Sequence, residues 1–430
     1  MISRSLAADL PTRIGERVRL AGWVHRRRRL KSVTFAVLRD RSGLAQVVLP
    51  GEAEALPPQE SVVEVSGLVV ANPKAPGGAE LVEPVITPLG EPARRPVFDL
   101  YRPTVPAALP TILDNAPIAL RHPGLRARFE IAAAGVAGFR STLDRLGFVE
   151  THTPKIVGSA TESGANVFGI DYFGRRAYLA QSPQFFKQAL VGVFERVYEV
   201  GPVFRAEPHD TTRHLAQYTS LDAELGFIED HRDVMSLLRT TIAGMVDATA
   251  ERAGAALDLL AVKLPVVPQE IPAVHFAEAQ ELIARHADED PRGEPDLAAA
   301  HERWLSEWAL REHGSEFLFV TGYPMAKRPF YTHPEPGNPR YSNSFDLLFR
   351  GLELVTGGQR LHRHSDYLAA LAERGESPES YADYLAPFAG GMPPHGGFAI
   401  GLERWTARVL GVSNIRETTL FPRDLTRLSP

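Results

Sequence analysis

Four groups of residues in this chain have the types and spacing to hold anions beside one another. The first is VFRAEPHDTTRHLAQYTSLDAELGF, from Val203 to Phe227. Arg205 and Glu207 stand two apart before a polar loop, and Asp222 and Glu224 stand two apart after it. Residues i and i+2 share one face of a strand, so a hairpin here sets an arginine and three carboxylates on one surface. The loop between, with His209, Arg213 and His214, is a basic tip able to fold over an anion. A cross-strand ion-pair ladder would use the same residues.

The second group is SFDLLFRGLELVTGGQRLHRHSDY. Asp346 and Glu353 lie on adjoining strand-like runs, Gly357 and Gly358 mark a tight bend, and Arg360 follows. Acids so separated suit an oxygen-ligated cation such as Mg²⁺, which keeps waters and shares ligands with phosphates. An Asp/Glu/Arg tie between strands is the alternative. In the third group, PHGGFAIGLERW, an apolar strand (Phe398–Ile400) runs through Gly401 into an amphipathic helix with Arg404 in its first turn. Free N–H groups at a helix start, with an arginine, form an anion site. The fourth, QSPQFFKQ, opens a helix with Ser182 as N-cap and Pro183 at its first position. Gln184 and Lys187, three apart, share a face of its first turn. A lysine there opposes the macrodipole, a mild penalty that makes sense if Lys187 faces a bound anion.

These groups need a scaffold. Residues 17–90 alternate apolar and polar side chains between Gly and Pro breaks, which predicts a small β-barrel. Trp23, His25 and Arg26 to Arg29 on its first strands offer the rings and cations that single-stranded RNA uses. Nine prolines between Pro84 and Pro123 predict an extended, semi-rigid hinge. Phe129, Ala132, Val136, Phe139, Leu143 and Leu146 form one apolar helical seam that Gly147 ends. Such a seam packs on its own sheet or on a second subunit. FVETHTPKIV, interrupted at Pro154, suits an edge strand. TESGAN carries one acid, Glu162, on a small-residue loop. Residues 230–312 are helix-rich, with an acidic surface insertion at 286–296 and a core pair in Trp304 and Trp308.

Composition narrows the function. Four hundred and thirty residues allow two or three domains. Zero cysteines exclude a disulfide framework, a thiolate nucleophile and a Cys-ligated metal, and fit a reducing cytosol. The N-terminal residues lack the apolar core of a signal peptide, and no run is long enough to span a bilayer. Residues 1–49 hold 11 Lys+Arg against 3 Asp+Glu, so of the net −5 the head carries +8 and the remainder −13. A nucleic acid partner would meet the basic head first.

Together the groups resemble the class II aminoacyl-tRNA synthetases, and within them the aspartyl enzymes of the shorter, archaeal type. The likeness covers essentially the whole chain. The helix ending at Gly147 with Pro154 resembles the family's first motif, FRAE with the RHL loop its second, and GLER its third. The resemblance implies an α+β fold: residues 1–95 an OB barrel binding the anticodon, 96–125 a Pro-rich hinge, and 126–430 a catalytic domain on an antiparallel sheet flanked by helices. The implied reaction joins aspartate to ATP's α-phosphate, then to tRNA, in a cytoplasmic homodimer.

By the same resemblance, Arg205 and Arg404 are the catalytic arginines. Glu162, Gln184, Phe185, Phe186, Lys187, Arg205, Asp222, Thr356 and Arg360 bind aspartate. Arg205, Ala206, Glu207, Arg213, His214, Leu215, Tyr218, Glu353, Gly401, Leu402, Glu403 and Arg404 bind ATP, with Glu353 and the Thr356 hydroxyl on Mg²⁺ and Asp346 assisting. The family commonly has serine where Thr356 stands; threonine keeps the oxygen. Lys187 and Arg360 face the substrate's side-chain carboxylate. His25 and Pro76 match positions that accompany relaxed reading of the third anticodon base, implying that both tRNA(Asp) and tRNA(Asn) are charged and that an amidotransferase acts downstream. A discriminating aspartyl enzyme, an asparaginyl enzyme and a small-molecule amidating ligase are the competing readings.

Overall fold

The computed structural model describes residues 3–51, 56–158, 167–287 and 289–430. Two compact units divide the chain, Met1–Pro123 and Gly124–Pro430.

In the first unit, β1 (Arg17–Arg29), β2 (Val33–Arg39), β3 (Leu44–Pro50), β4 (Val62–Ala71) and β5 (Ala79–Pro88) close a barrel in the order β1-β2-β3-β5-β4. The predicted alternation is the cause: Val18, Leu20, Val24, Ala36, Leu38, Val47, Val63, Val65 and Leu81 point inward and are almost completely buried. The alternation fails at one place. The β1–β2 register shifts between Val24 and Arg26, a bulge that leaves both Val24 and His25 buried. The proline-rich stretch is not wholly extended, because it holds two short helices, α1 (Leu109–Asp114) and α2 (Ala116–Ala119).

The second unit starts with α3 (Pro123–Arg145), whose seam buries Phe139 and Leu143 in the same core as Tyr198, Leu221 and Phe398. That seam therefore packs on its own sheet. Gly147, at φ +78°, turns the chain out of the helix. Then come β6 (Val149–Glu150), β7 (Ile156–Val157), β8 (Gly169–Tyr172), β9 (Arg175–Leu179), α4 (Gln184–Phe194), β10 (Arg196–Phe204) and β11 (Gln217–Gly226). Helices α5 (His231–Arg252) and α6 (Gly254–Leu260) follow, then β12 (Ala273–His275), α7 (Phe276–His286) and α8 (Ala299–His313). The chain closes with β13 (Phe317–Thr321), β14 (Ser344–Phe349), β15 (Leu352–Gln359), α9 (His364–Glu373), α10 (Ala382–Ala389), β16 (His395–Gly401) and α11 (Leu402–Leu410).

The main sheet runs β12-β13-β14-β15-β16-β11-β10-β6. Its inner pairings are antiparallel, and β12 and β6 add parallel edges. FVETHTPKIV thus divides at Pro154: β6 before it is an edge of the main sheet, as the sequence predicts, and β7 after it is an edge of the three-stranded sheet β7-β9-β8. Gly357 and Gly358 correct the sequence reading: they lie inside β15, not at a bend. A Cβ on Gly357 would sit 2.5 Å from the Phe345 ring, so packing requires the glycine. The actual turn is Arg350–Gly351, with φ of +47° and +80°, the backbone of a tight primed hairpin. Trp304 and Trp308 pack against the cluster of Phe276, Leu305 and Leu318.

Candidate active site

A cavity of about 990 Å³ lies in the second unit. Of the residues singled out from sequence, Gln184, Lys187, Arg205, Glu207, Arg213, His214, Leu215, Tyr218, Glu353, Thr356, Arg360, Gly401, Glu403 and Arg404 line it. They come from segments more than two hundred residues apart. Phe185, Phe186, Ala206, Asp222 and Leu402 are not among its walls. Phe185 instead stacks on Tyr384 with ring centroids 4.0 Å apart. Glu162 lies outside the described residues.

Buried charge forms one side of the cavity. The helix carrying Lys187 begins at Gln184, one residue later than predicted, and the Ser182 hydroxyl accepts the Gln184 N–H at 3.1 Å. The Lys187 ammonium is 3.0 Å from Asp222 Oδ1, 3.2 Å from Glu224 Oε2 and 3.3 Å from the Phe398 carbonyl. The first and third contacts are hydrogen bonds; the second is an ion pair, and Glu224 Oε2 accepts no hydrogen bond among the described residues. Arg360 donates Nε to Glu224 Oε1 at 2.9 Å and Nη2 to the Gly397 carbonyl at 3.0 Å. Its Nη1 makes no hydrogen bond among the described residues, nor does the Gln184 amide nitrogen. Burial alone would raise the pKa of Glu224; Arg360 and Lys187 overcome that and hold it below its ordinary value. Two cations and two carboxylates balance, and donors of Arg360 and Gln184 are left over among the described residues. Sequence reading placed Glu224 on this face but gave it no role, because nothing in a linear pattern reveals that one carboxylate bridges both cations.

Behind Lys187, Gln188 donates to Tyr367 Oη at 3.1 Å and lies 3.0 Å from His395 Nε2, while its Oε1 accepts from Tyr384 Oη at 3.0 Å. Burial takes His395 down to about 4, so the ring is neutral. This uncharged layer fixes the helix turn that carries Lys187.

Glu353 and Thr356 line another side of the cavity; Asp346 is not among its walls. Asp346 and Thr356 are cross-strand partners on β14 and β15. A strict two-residue period would turn Glu353, three before Thr356, to the opposite face. The β14–β15 register shifts between Leu347 and Leu348, leaving Leu354 as the extra residue of a bulge. Glu353 consequently faces Thr356, whose hydroxyl donates to Glu353 Oε1 at 3.2 Å. Arg328, a residue the sequence reading missed, donates to Asp346 Oδ1 at 2.9 Å. Burial pushes Asp346 up to about 6, Arg328 opposes, and Glu353 adds repulsion. Two carboxylates and a hydroxyl fit a hard divalent cation with phosphate co-ligands.

The loop between β10 and β11 forms a third side. Arg205 and Glu207 fall beyond the end of β10, so they sit on the loop rather than the strand. The Arg205 N–H donates to the Ala216 carbonyl at 2.9 Å, and its guanidinium lies 5.8 Å from the Tyr218 ring. Arg404 donates to the Glu353 carbonyl at 3.1 Å. Burial first, and Arg404 second, lower the pKa of His214. Glu403 accepts the Thr219 N–H at 3.0 Å, and burial pushes its carboxyl up to about 7, a group that ties β11 to α11.

In the barrel, Arg26, Arg28 and Arg29 are exposed. His25 is not: it is 5% exposed, and its ring meets Tyr101 at 5.3 Å. Arg39 donates to His25 Nδ1 at 2.9 Å and doubly to Glu60, which also accepts from Arg121 at 3.0 Å. Pro76 opens a short turn, Pro76–Gly78, before β5.

Residues 109–425 match the family of tRNA synthetases class II (D, K and N), and residues 18–89 match the OB-fold nucleic acid binding domain. The chain belongs to the class II tRNA synthetases of the D, K and N group. The synthetase is 48% identical to the aspartate–tRNA(Asp/Asn) ligase of Thermus thermophilus, over 99% of this chain and 100% of that one. It is 39% identical to the aspartate–tRNA(Asp) ligase of Pyrococcus abyssi, over 97% of each. Among solved structures, the asparaginyl-tRNA synthetase of Pyrococcus horikoshii complexed with asparaginyl-adenylate matches with a TM-score of 0.92 and 30% identity over the whole of both chains. The synthetase therefore has relatives named for tRNA(Asp) alone and for both tRNAs. Among the described residues, no helix is long and apolar enough to cross a membrane.

Proposed function

We propose that this enzyme activates L-aspartate with ATP and transfers it to tRNA, charging both tRNA(Asp) and tRNA(Asn). The observation that carries the proposal is the charge-balanced network in which Lys187 and Arg360, which line the cavity, pair with the buried Asp222 and Glu224, with donors of Arg360 and Gln184 left over. A small zwitterion with one extra carboxylate suits those groups. Asparagine offers those donors one amide oxygen and turns an NH₂ group toward them, which leaves polar groups unpaired at a cost of roughly 1–3 kcal/mol.

The aspartate α-carboxylate oxygen attacks the α-phosphorus, the bond to the bridging β-phosphate oxygen breaks, and pyrophosphate leaves. The terminal ribose hydroxyl of tRNA then attacks the carbonyl carbon and AMP leaves. Both first-step reactants are anions, so the protein's contribution is alignment and positive charge. Arg205 bridges the α-phosphate and the attacking carboxylate, while Arg213, His214 and Arg404 hold the outer phosphates. Tyr218 carries the adenine ring and Glu207 takes its amino group. Glu353 and Thr356, with Asp346 nearby, would hold Mg²⁺, which supplies further charge neutralisation at the phosphates.

The basic barrel binds the anticodon through exposed Arg26, Arg28 and Arg29. His25 acts there indirectly, by setting the position of Tyr101, over which the Arg26 guanidinium lies at 3.8 Å. The enzyme works as a cytoplasmic homodimer through the α3 and β6 region, and its Asp-tRNA(Asn) passes to an amidotransferase. Pyrophosphate exchange with aspartate but not asparagine, and aspartate incorporation into purified tRNA(Asn) as well as tRNA(Asp), are the expected results. Exchange with asparagine alone would overturn the amino-acid assignment. Aspartate left unincorporated on tRNA(Asn) would make the enzyme a discriminating one.

A further inference from the structure

Glu302 lies on α8, in the helix-rich stretch between the second and third motifs, and no reading of the motifs points to it. It is 7% exposed, and its two oxygens meet groups from two walls of the cavity. The backbone N–H of Glu353 donates to Glu302 Oε2 at 2.8 Å. Arg213 donates Nη2 to Oε2 at 3.1 Å and to Oε1 at 3.3 Å. The first contact answers a need of the bulge, since an extra residue disrupts the ladder locally and leaves backbone groups without strand partners. The second uses one corner of a guanidinium whose remaining donors make no hydrogen bond among the described residues while Arg213 lines the cavity.

We infer that Glu302 is a positioning residue that aims Glu353 and Arg213 together, coupling the carboxylate wall of the site to its phosphate-gripping loop. α8 supplies the rigidity: Leu305 and Ala309, three and seven residues on, are fully buried against β13 and β14 side chains. A loop arginine held this way spends less conformational freedom when phosphates arrive.

This inference rests on the ATP reading of the cavity, and the test separates the two. Pyrophosphate exchange by the unaltered enzyme tests that reading first; without exchange both fall. In an exchanging enzyme, Glu302→Gln keeps an oxygen for the Glu353 N–H and loses the charge that holds Arg213. The expected result is an ATP KM about 5- to 10-fold higher, with aspartate KM and kcat unchanged. Glu302→Ala also removes the acceptor at the bulge and lowers kcat about tenfold. Calorimetric titration with ATP in EDTA gives a readout independent of turnover, and Glu302→Gln weakens binding there by a similar factor. In an Arg213→Ala background the same change has little further effect, because the partner is gone. Equal effects of Glu302→Gln with and without Arg213, or an unchanged ATP affinity in a variant that melts like the parent, would overturn the assignment.

Discussion

A bulge in β1 of the barrel and a bulge in β15 of the main sheet use the same backbone device to opposite ends. Each breaks a two-residue period beside a group that can carry charge. In β1 the break brings His25 inward, onto Arg39, where Arg39 and Arg121 already satisfy Glu60. That network closes on itself. In β15 the break brings Glu353 round to Thr356 and the cavity. Buried ionic networks are therefore poor guides to function until one asks what they border. The Lys187–Asp222–Glu224–Arg360 network is as buried as the Arg39–Glu60 pair of the barrel, yet it keeps donors without protein partners among the described residues.

Removing the group that the β15 bulge delivers should have the largest effect. Glu353→Gln is expected to cut pyrophosphate exchange roughly 10²- to 10³-fold while the melting temperature stays close to the parent's. Near-normal exchange would mean that the bulge has no catalytic purpose. Next, Lys187→Ala should raise aspartate KM by roughly 10- to 100-fold and, by leaving Asp222 without its cation and Glu224 with Arg360 alone, destabilise the fold by roughly 3 kcal/mol. Both losses are required. A stability loss with unchanged KM would make this network as closed as that of the barrel.

The two bulges also mark where sequence reasoning stops. Inward Val and Leu at every second position made the barrel legible, and a three-and-four seam made α3 legible. The clustering of the candidate residues was legible too, since Arg205, Lys187, Arg360, Glu353 and Arg404 line one cavity. What alternation cannot register is a single extra residue. It therefore leaves His25 facing solvent and gives Glu353 no reason to face Thr356. Gly357 and Gly358 misled for a related reason: glycine serves close packing as well as turning, and the turn went to Arg350–Gly351. Arg328 and Glu302 stand in stretches without a telling pattern, and only the fold brings them to Asp346 and Arg213.

A smaller effect separates the barrel's outside from its inside. Arg28→Ala with Arg29→Ala should raise tRNA KM about 5- to 10-fold and flatten its salt dependence, with pyrophosphate exchange untouched. Exchange that falls in step with charging would show that these arginines act on the fold, not on RNA.

The smallest effect tests whether the barrel network is closed at all. Burial first, and Arg39 second, bring His25 from its ordinary 6.5 down to about 4. Between those values the unfolded chain binds a proton at this ring that the folded chain does not. Stability therefore declines as pH falls from about 6.5, and the decline ends near 4, where the folded ring also protonates. His395, likewise lowered to about 4, acts in the same window and the same direction. Urea unfolding of the parent at pH 7.5 and pH 5 should accordingly show a loss of ~1–3 kcal/mol from His25 in addition to the share of His395. His25→Gln, which keeps an acceptor for Arg39 but cannot titrate, should shrink that loss without erasing it. A loss of the same size in the variant would mean that His25 already reaches water, and then the β1 bulge would present its ring to RNA after all.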